Sequence, residues 1–288
     1  MKKRILLSLV LAALLVFTAC TSGGGGNDVE DTAAEPQIGI EDAGTEDTAR
    51  EKVVIGVSPA PHGEIVEALE ADFLAAGIEV GIVYFDDYVQ PNLALDDGDL
   101  DINYFQHKPY LDNFSAEHGL DLQVIGQVHV EPLALYSDKY ASIDELPDGA
   151  EILIPDDPTN GARALLLLEG EGLIELADPT DLNATEEDIT SNPRNFKFTA
   201  LDAANIARTY TDVDGGIINA NFAIDAGLNP TNDSILIEGD QSPYANVVVV
   251  RAGEENNEAY LKFIEILNSD AAREFIETKY EGTIKPVF

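Results

Sequence analysis

From about residue 53 onward the sequence keeps one rhythm, in which a short aliphatic run is followed by a stretch of helical spacing and then by another aliphatic run. Lys52-Val53-Val54-Ile55-Gly56-Val57 has the make-up of a buried strand. Over residues 62–77, Ile65, Leu69, Phe73 and Leu74 fall on one helical face. Residues 78–85 predict the next strand, with Gly77 as the helix stop. A short helix near 91–95, a strand over 100–105 and a helix over 108–118 closed by Gly119 follow. Alternation of this kind implies an α/β fold with parallel strands and helices on both faces.

A second series begins after Tyr136-Ser137. It comprises a strand at 152–154, a helix over 158–168, a strand over 195–201, a helix over 202–210 and a strand at 216–218. A late strand at 247–251 and an amphipathic helix over 255–267 are expected to return to the first unit. The chain then crosses twice between lobes, near 135–140 and near 238–244, and a double crossing makes a hinge. The expected division is lobe I over 53–137 plus 239–288 and lobe II over 138–238.

The first fifty residues differ in kind. Met1-Lys2-Lys3-Arg4 is followed by an apolar stretch from Ile5 to Phe17, broken only by Ser8, and then by Thr18-Ala19-Cys20. A basic start, a short apolar stretch and a small-residue cut site make residues 1–19 a signal peptide. The apolar stretch is shorter than the roughly 18 to 20 residues of a spanning helix. Cys20 is the only cysteine, so no disulfide within the chain is possible, and its place at the cut suggests lipidation, although Phe17 departs from the usual leucine of a bacterial lipobox. Residues 20–52 are glycine-rich, then acidic and alanine-rich; such a segment cannot bury enough surface to fold and is expected to be a lipid-anchored, disordered tether.

The net charge of −38, from 54 acidic against 16 basic residues, excludes nucleic acid as a natural partner, because phosphates would be repelled. It also implies a carboxylate shell whose self-repulsion is relieved by salt, and hence a high-salt habitat.

Four stretches could carry chemistry. Phe105-Gln106-His107-Lys108-Pro109-Tyr110-Leu111 places rings at a strand end and the first turn of a helix, where open α/β sheets present ligands, and Tyr88 can face the same crevice. Such rings suit a slender apolar side chain, a thioether in particular; they would serve equally as packing, with His107 as a helix cap. Asp156-Asp157-Pro158-Thr159-Asn160-Gly161-Ala162-Arg163 starts a helix, with Asp157 at the N-cap and Pro158 at N1. Arg163 can lean back over that positive end to clamp a carboxylate, or can form a structural ion pair. Asn219 and Asn221 at a strand end, and Tyr244 and Asn246 at the return crossing, complete the set, though Asn is also a common turn residue.

Catalytic signatures are absent from the sequence: there is no Gly-x-Ser-x-Gly elbow, phosphate loop or His-Glu-x-x-His helix. The acidic run at 96–101 fails as a calcium loop, because its sixth position counted from Asp97 is Ile102 and its twelfth is Lys108. No enzyme activity, cofactor or resident metal is expected. The rival reading is a metal-binding lipoprotein of an importer, with His62, His107 or His129 as ligands beside some of the abundant carboxylates.

The strings Asp87-Tyr88-Val89-Gln90-Pro91-Asn92, Asn103-Tyr104-Phe105-Gln106-His107-Lys108-Pro109-Tyr110-Leu111 and Ile154-Pro155-Asp156-Asp157-Pro158-Thr159-Asn160, together with Ser242-Pro243-Tyr244-Ala245-Asn246, resemble the NlpA/MetQ family of methionine-binding lipoproteins. The resemblance implies a two-lobed type II periplasmic-binding-protein fold with the ligand cleft between the lobes. It implies that Tyr88, Phe105, His107 and Tyr110 line a methionine side-chain pocket, that Arg163 pairs with the carboxylate, and that Asn219 and Asn246 hold the polar end, with Asn160 and Tyr244 as further candidates. It also implies a monomer, anchored through Cys20 on the outer face of the cell membrane, that delivers its amino acid to an ABC permease and its ATPase.

Overall fold

The computed structural model describes residues 50–239 and 243–288; the expected signal peptide, Cys20 and nearly all of the expected tether lie outside the described residues. In chain order, β1 (Glu51–Val57) leads to α1 (Glu64–Ala68) and α2 (Glu70–Ala75), β2 (Ile78–Tyr84), α3 (Gln90–Asp96), β3 (Ile102–His107), α4 (Lys108–His118) and β4 (Leu122–Val130). Next come β5 (Leu133–Tyr136), β6 (Glu151–Pro155), α5 (Pro158–Gly170), the ribbon β7 (Glu175–Leu176) and β8 (Ile189–Ser191), and β9 (Lys197–Leu201). They are followed by α6 (Ala203–Thr209), β10 (Gly215–Asn219), α7 (Ala220–Asp225), α8 (Pro230–Asp233) and β11 (Ser234–Ile237). The chain closes with β12 (Ala245–Arg251), α9 (Glu258–Leu267), α10 (Asp270–Lys279) and β13 (Lys285–Pro286).

These elements form two main sheets, ordered β13-β4-β12-β3-β1-β2 and β11-β5-β10-β6-β9. Each is mixed, which corrects the expectation of purely parallel strands. β1 runs parallel to β2 and β3, and β6 parallel to β9 and β10. β12 is antiparallel to β3 and β4, and β5 is antiparallel to β10 and β11. β5 and β12 follow a crossing between sheets, where no helix intervenes to reverse the chain, whereas β13, also antiparallel to β4, follows α10. β5 belongs to the second sheet, so the first crossing falls at Glu131-Pro132 and not at 135–140 as expected. The return lies between β11 and β12.

The helical face expected over 62–77 is divided between α1 and α2, separated at Leu69 (φ −102°, ψ 9°). Ile65, Leu69 and Phe73 are buried in the first core, where Phe73 stacks on Phe263 of α9 with centroids 4.4 Å apart, a contact worth about 0.5–1.5 kcal/mol beyond its buried area. Leu74 is 36% exposed, because one residue's step of roughly 100° turns it off the face that Phe73 occupies. A separate core under the second sheet gathers Ile152, Ile154, Leu165, Leu168 and Ile217. Helix α4 starts and stops as its sequence predicts, with Gly119 in the left-handed region (φ 70°) as its C-cap. Among the described residues no helix is long and apolar enough to cross a membrane.

Candidate functional site

Strand register sets the floor of the site. On β12, Asn246 is paired with His107 of β3 on one side and His129 of β4 on the other. β3 ends at His107, where the chain turns directly into α4. Behind this end, Asn92, Asn103 and Gln106 form a closed amide network: Asn92 Nδ2 donates to Gln106 Oε1 at 2.8 Å, and Asn103 Nδ2 and Gln106 Nε2 donate to Asn92 Oδ1 at 2.8 and 2.7 Å. Asn92 and Asn103 are fully buried, so this pairing is what makes their burial tolerable. It locks α3 to β3 and fixes the direction of Phe105 and His107.

From the second sheet, α5 approaches with its N-terminus first. Asp157 caps it, accepting from Asn160 N at 2.9 Å, and also holds Asn160 Nδ2 at 2.9 and 3.1 Å. Burial pushes the Asp157 carboxyl up, and the hydrogen bonds from Asn160 and Thr159 oppose that shift. Gly161 is required by close packing: a Cβ there would sit 2.9 Å from the Pro155 carbonyl oxygen. One turn in, Arg163 is 4% exposed.

These parts line one cavity between them. One end is aromatic. Tyr88, Phe105 and Tyr110 surround it with ring centroids 5.6 to 6.3 Å apart, and Tyr110 Oη donates to the Tyr88 carbonyl at 3.0 Å. Tyr88 Oη reaches across to Asn221 Oδ1 at 2.5 Å. Burial raises the Tyr88 and Tyr110 phenols well above their ordinary range, so both remain hydrogen-bond donors.

The other end is polar. His107 Nδ1 accepts from Tyr110 N at 3.1 Å, so its Nε2 carries the hydrogen and donates to Asn160 Oδ1 at 3.1 Å. Burial, reinforced by the Arg163 charge, lowers the His107 pKa to about 3, and the ring is neutral. Asn219 Nδ2 donates to the same Asn160 oxygen at 2.8 Å, which leaves Asn219 Oδ1 buried without a hydrogen-bond partner. Arg163 donates through Nε and Nη2 to Glu238 at 3.0 and 2.5 Å, and through Nη2 to the Glu131 carbonyl at 2.7 Å. Arg163 thus forms the structural ion pair that was the alternative to its clamping role, and it also lines the cavity.

Eight of the nine residues picked from sequence line this one cavity: Tyr88, Phe105, His107, Tyr110, Asn160, Arg163, Asn219 and Asn246. Tyr244 does not. Its ring lies behind Arg163, 4.2 Å from the guanidinium carbon, and meets His107 edge-on at 5.0 Å, so it backs the wall instead of forming it. Of the rival metal set, His62 and His129 do come together, but His107 stands apart from them on Asn160.

The residue that sequence reasoning missed is Glu131. It lines the cavity, 6% exposed, at the first crossing between sheets, and burial pushes its carboxyl up. Its signal was available: a lone acid inside Val128-His129-Val130-Glu131-Pro132-Leu133, hidden as one of 54 acidic residues.

Comparison with known proteins agrees over the folded body. The family described as NlpA lipoprotein matches residues 53–288. Membrane lipoprotein TpN32 of Treponema pallidum is 40% identical over 232 residues, covering 81% of this chain and 87% of its own. A probable D-methionine-binding lipoprotein MetQ of Vibrio cholerae is also 40% identical, covering 80% and 86%. Among solved structures, a nutrient binding protein from Burkholderia cenocepacia bound to methionine is 39% identical, with a TM-score of 0.79, covering 82% of this chain and all of that one.

Proposed function

Because the chain belongs to the NlpA lipoprotein family, we propose that it is the substrate-binding lipoprotein of an ABC importer, and that the cavity closes on one free amino acid, methionine. The observation that carries this reading is one cavity lined by three rings at one end and by Arg163 and Glu131 at the other. A thioether among Tyr88, Phe105 and Tyr110 gains sulfur–aromatic contacts. An α-carboxylate fits against the Arg163 guanidinium and the Asn246 amide; the latter turns its oxygen toward His62, at 3.1 Å, and so presents its nitrogen elsewhere. An α-ammonium supplies the donor that Asn219 Oδ1 lacks and a countercharge for Glu131.

The remaining parts of the reading concern delivery. Cys20 carries the lipid that holds the body at the outer face of the membrane, as a monomer, where it meets a permease and its cytoplasmic ATPase. Lobe I and lobe II close over the cargo about the two crossings, one at Glu131-Pro132 and the other between β11 and β12. Binding, not turnover, is the task of a family of this kind. The metal-binding alternative is not favoured: both ring nitrogens of His62 and of His129 already have hydrogen-bond partners, and the relatives' names point to methionine.

Mass spectrometry of small molecules released on denaturing the purified protein tests the reading. Methionine at about one equivalent supports it. Protein that arrives empty and whose melting temperature does not rise with added methionine counts against it, because a ligand selective for the folded state must stabilise that state.

A further inference from the structure

Behind the cavity wall, two buried histidines meet the side chains of Glu131 and Asn246. Glu131 Oε1 receives His129 Nε2 at 2.8 Å and lies 3.2 Å from His62 Nε2, which is also 3.1 Å from Asn246 Oδ1. Both histidines are at most 1% exposed. Their other nitrogens are occupied as well: Ser58 Oγ is 2.9 Å from His62 Nδ1, and the Tyr104 hydroxyl is bonded to His129 Nδ1. Burial raises the Tyr104 phenol well above its ordinary range, so it is the donor in that pair. His129 must then carry its hydrogen on Nε2 and point it at Glu131. His62 Nε2 has Asn246 Oδ1 as its hydrogen-bond partner at 3.1 Å, with the Glu131 oxygen beside it at 3.2 Å.

An ionised carboxylate accepts about four hydrogen bonds. Glu131 has His129 Nε2–H and the Asn221 backbone N–H as donors, with His62 Nε2 close beside the same oxygen. The two imidazoles converge on one oxygen, and the carboxylate as a whole lines the cavity. Accepting capacity remains, and the ligand space is where it can be filled.

We propose that His62 and His129 are positioning residues that fix the Glu131 carboxylate as a receptor for an α-ammonium, so that the site selects amino acids with a free amino group against analogues without one. This rests on the reading that the cavity holds an amino acid. The imidazoles act through Glu131 and touch no ligand. Their service is orientation: they hold a buried carboxylate in one rotamer before the ligand arrives, so that little ordering remains to be done on binding.

The test compares two ligands on three proteins by titration calorimetry. The ligands are methionine and its des-amino analogue, a methylthio-substituted butanoate; the proteins are wild type, His62→Gln and His129→Gln. His129→Gln is expected to lose at least about tenfold in affinity for methionine, the scale of one hydrogen bond to a charged group, and less than about twofold for the analogue, which has no ammonium to place; His62→Gln, which also loosens Asn246, is expected to lose more for methionine than for the analogue. Equal losses for both ligands, or no loss for methionine, overturn the proposal. Since a substitution at a fully buried histidine can unfold the protein, nitrogen-15 spectra of the wild-type histidines give a second arm. Both rings are expected as the neutral Nε2–H tautomer, and an Nδ1–H tautomer or an imidazolium at either overturns it. Failure of wild type to bind methionine at all would strike the preceding functional reading, while the tautomers would still decide this one.

Discussion

Arg163 Nη2 donates to the backbone carbonyl of Glu131 at 2.7 Å, so the cation on one wall of the cavity is tied to the residue that supplies its anion. The two charges are thereby held at a fixed separation by a short hydrogen bond, and Glu238 takes up the remaining side of the guanidinium. A zwitterion is the ligand chemistry that matches such a frame.

Arg163→Ala removes the buried cation and leaves Glu238 and the Glu131 carbonyl short of a donor. Methionine affinity is expected to fall by about 2–5 kcal/mol, and Arg163→Lys to recover only part of it, since an ammonium cannot span both partners. Titration calorimetry on the two variants reads the loss; a lysine variant indistinguishable from wild type would show that the forked geometry is unimportant.

Phe105→Leu keeps an apolar wall but removes one ring from the aromatic end. The sulfur–aromatic contact is worth about 0.3–1.5 kcal/mol, so methionine should weaken by that amount while norleucine, its sulfur-free counterpart, changes less. Parallel loss of both ligands in a competition assay would mean that shape alone is being read.

Three buried histidines make stability depend on pH. Burial lowers His62 to about 4, and His107 and His129 to about 3, from an unfolded value of 6.5. The unfolded chain therefore binds more protons than the folded one in this window, and the stability these rings contribute is complete above pH 6.5 and is lost as pH falls toward 4 and 3. Glu131 works in the opposite sense, its raised carboxyl favouring the folded state at low pH. Melting temperatures between pH 7 and 4 should fall, and His107→Gln should flatten the slope; a profile unchanged by that substitution would contradict the assignment.

Gly161→Ala places a methyl against the Pro155 carbonyl at the start of α5. Overpacking of this kind costs about 1–3 kcal/mol, and because the helix start carries Asn160 and Arg163, methionine affinity should fall with stability. Chemical denaturation and ligand titration on one preparation would show whether the two losses travel together.

The net charge of −38 predicts a melting temperature that rises with sodium chloride, as screening relieves repulsion between carboxylates that have few cationic partners. A melting curve insensitive to salt would remove the basis for the expected high-salt habitat.

Most of the fold was legible because periodicity reports burial directly: α4 matched its predicted bounds at Lys108 and His118, where Pro109 and Gly119 punctuate the chain. Strand direction was less so, since β5 and β12 look like any aliphatic run and only the absence of an intervening helix tells that they reverse. At the site, Phe105, His107 and Arg163 stood out by their unusual surroundings. Glu131 did not, because an acid in an acidic chain gives no contrast until its neighbours in space are known. His62 and His129 lie 67 positions apart and meet only through the pairing of β4 with β12 and the packing of the segment after β1.

The most direct test of the account is a crystal structure of the protein with methionine bound. It should show the carboxylate on Arg163, the ammonium between Glu131 and Asn219 Oδ1, and the sulfur among Tyr88, Phe105 and Tyr110. A ligand seated with its ends reversed, or bound anywhere outside this cavity, would contradict it.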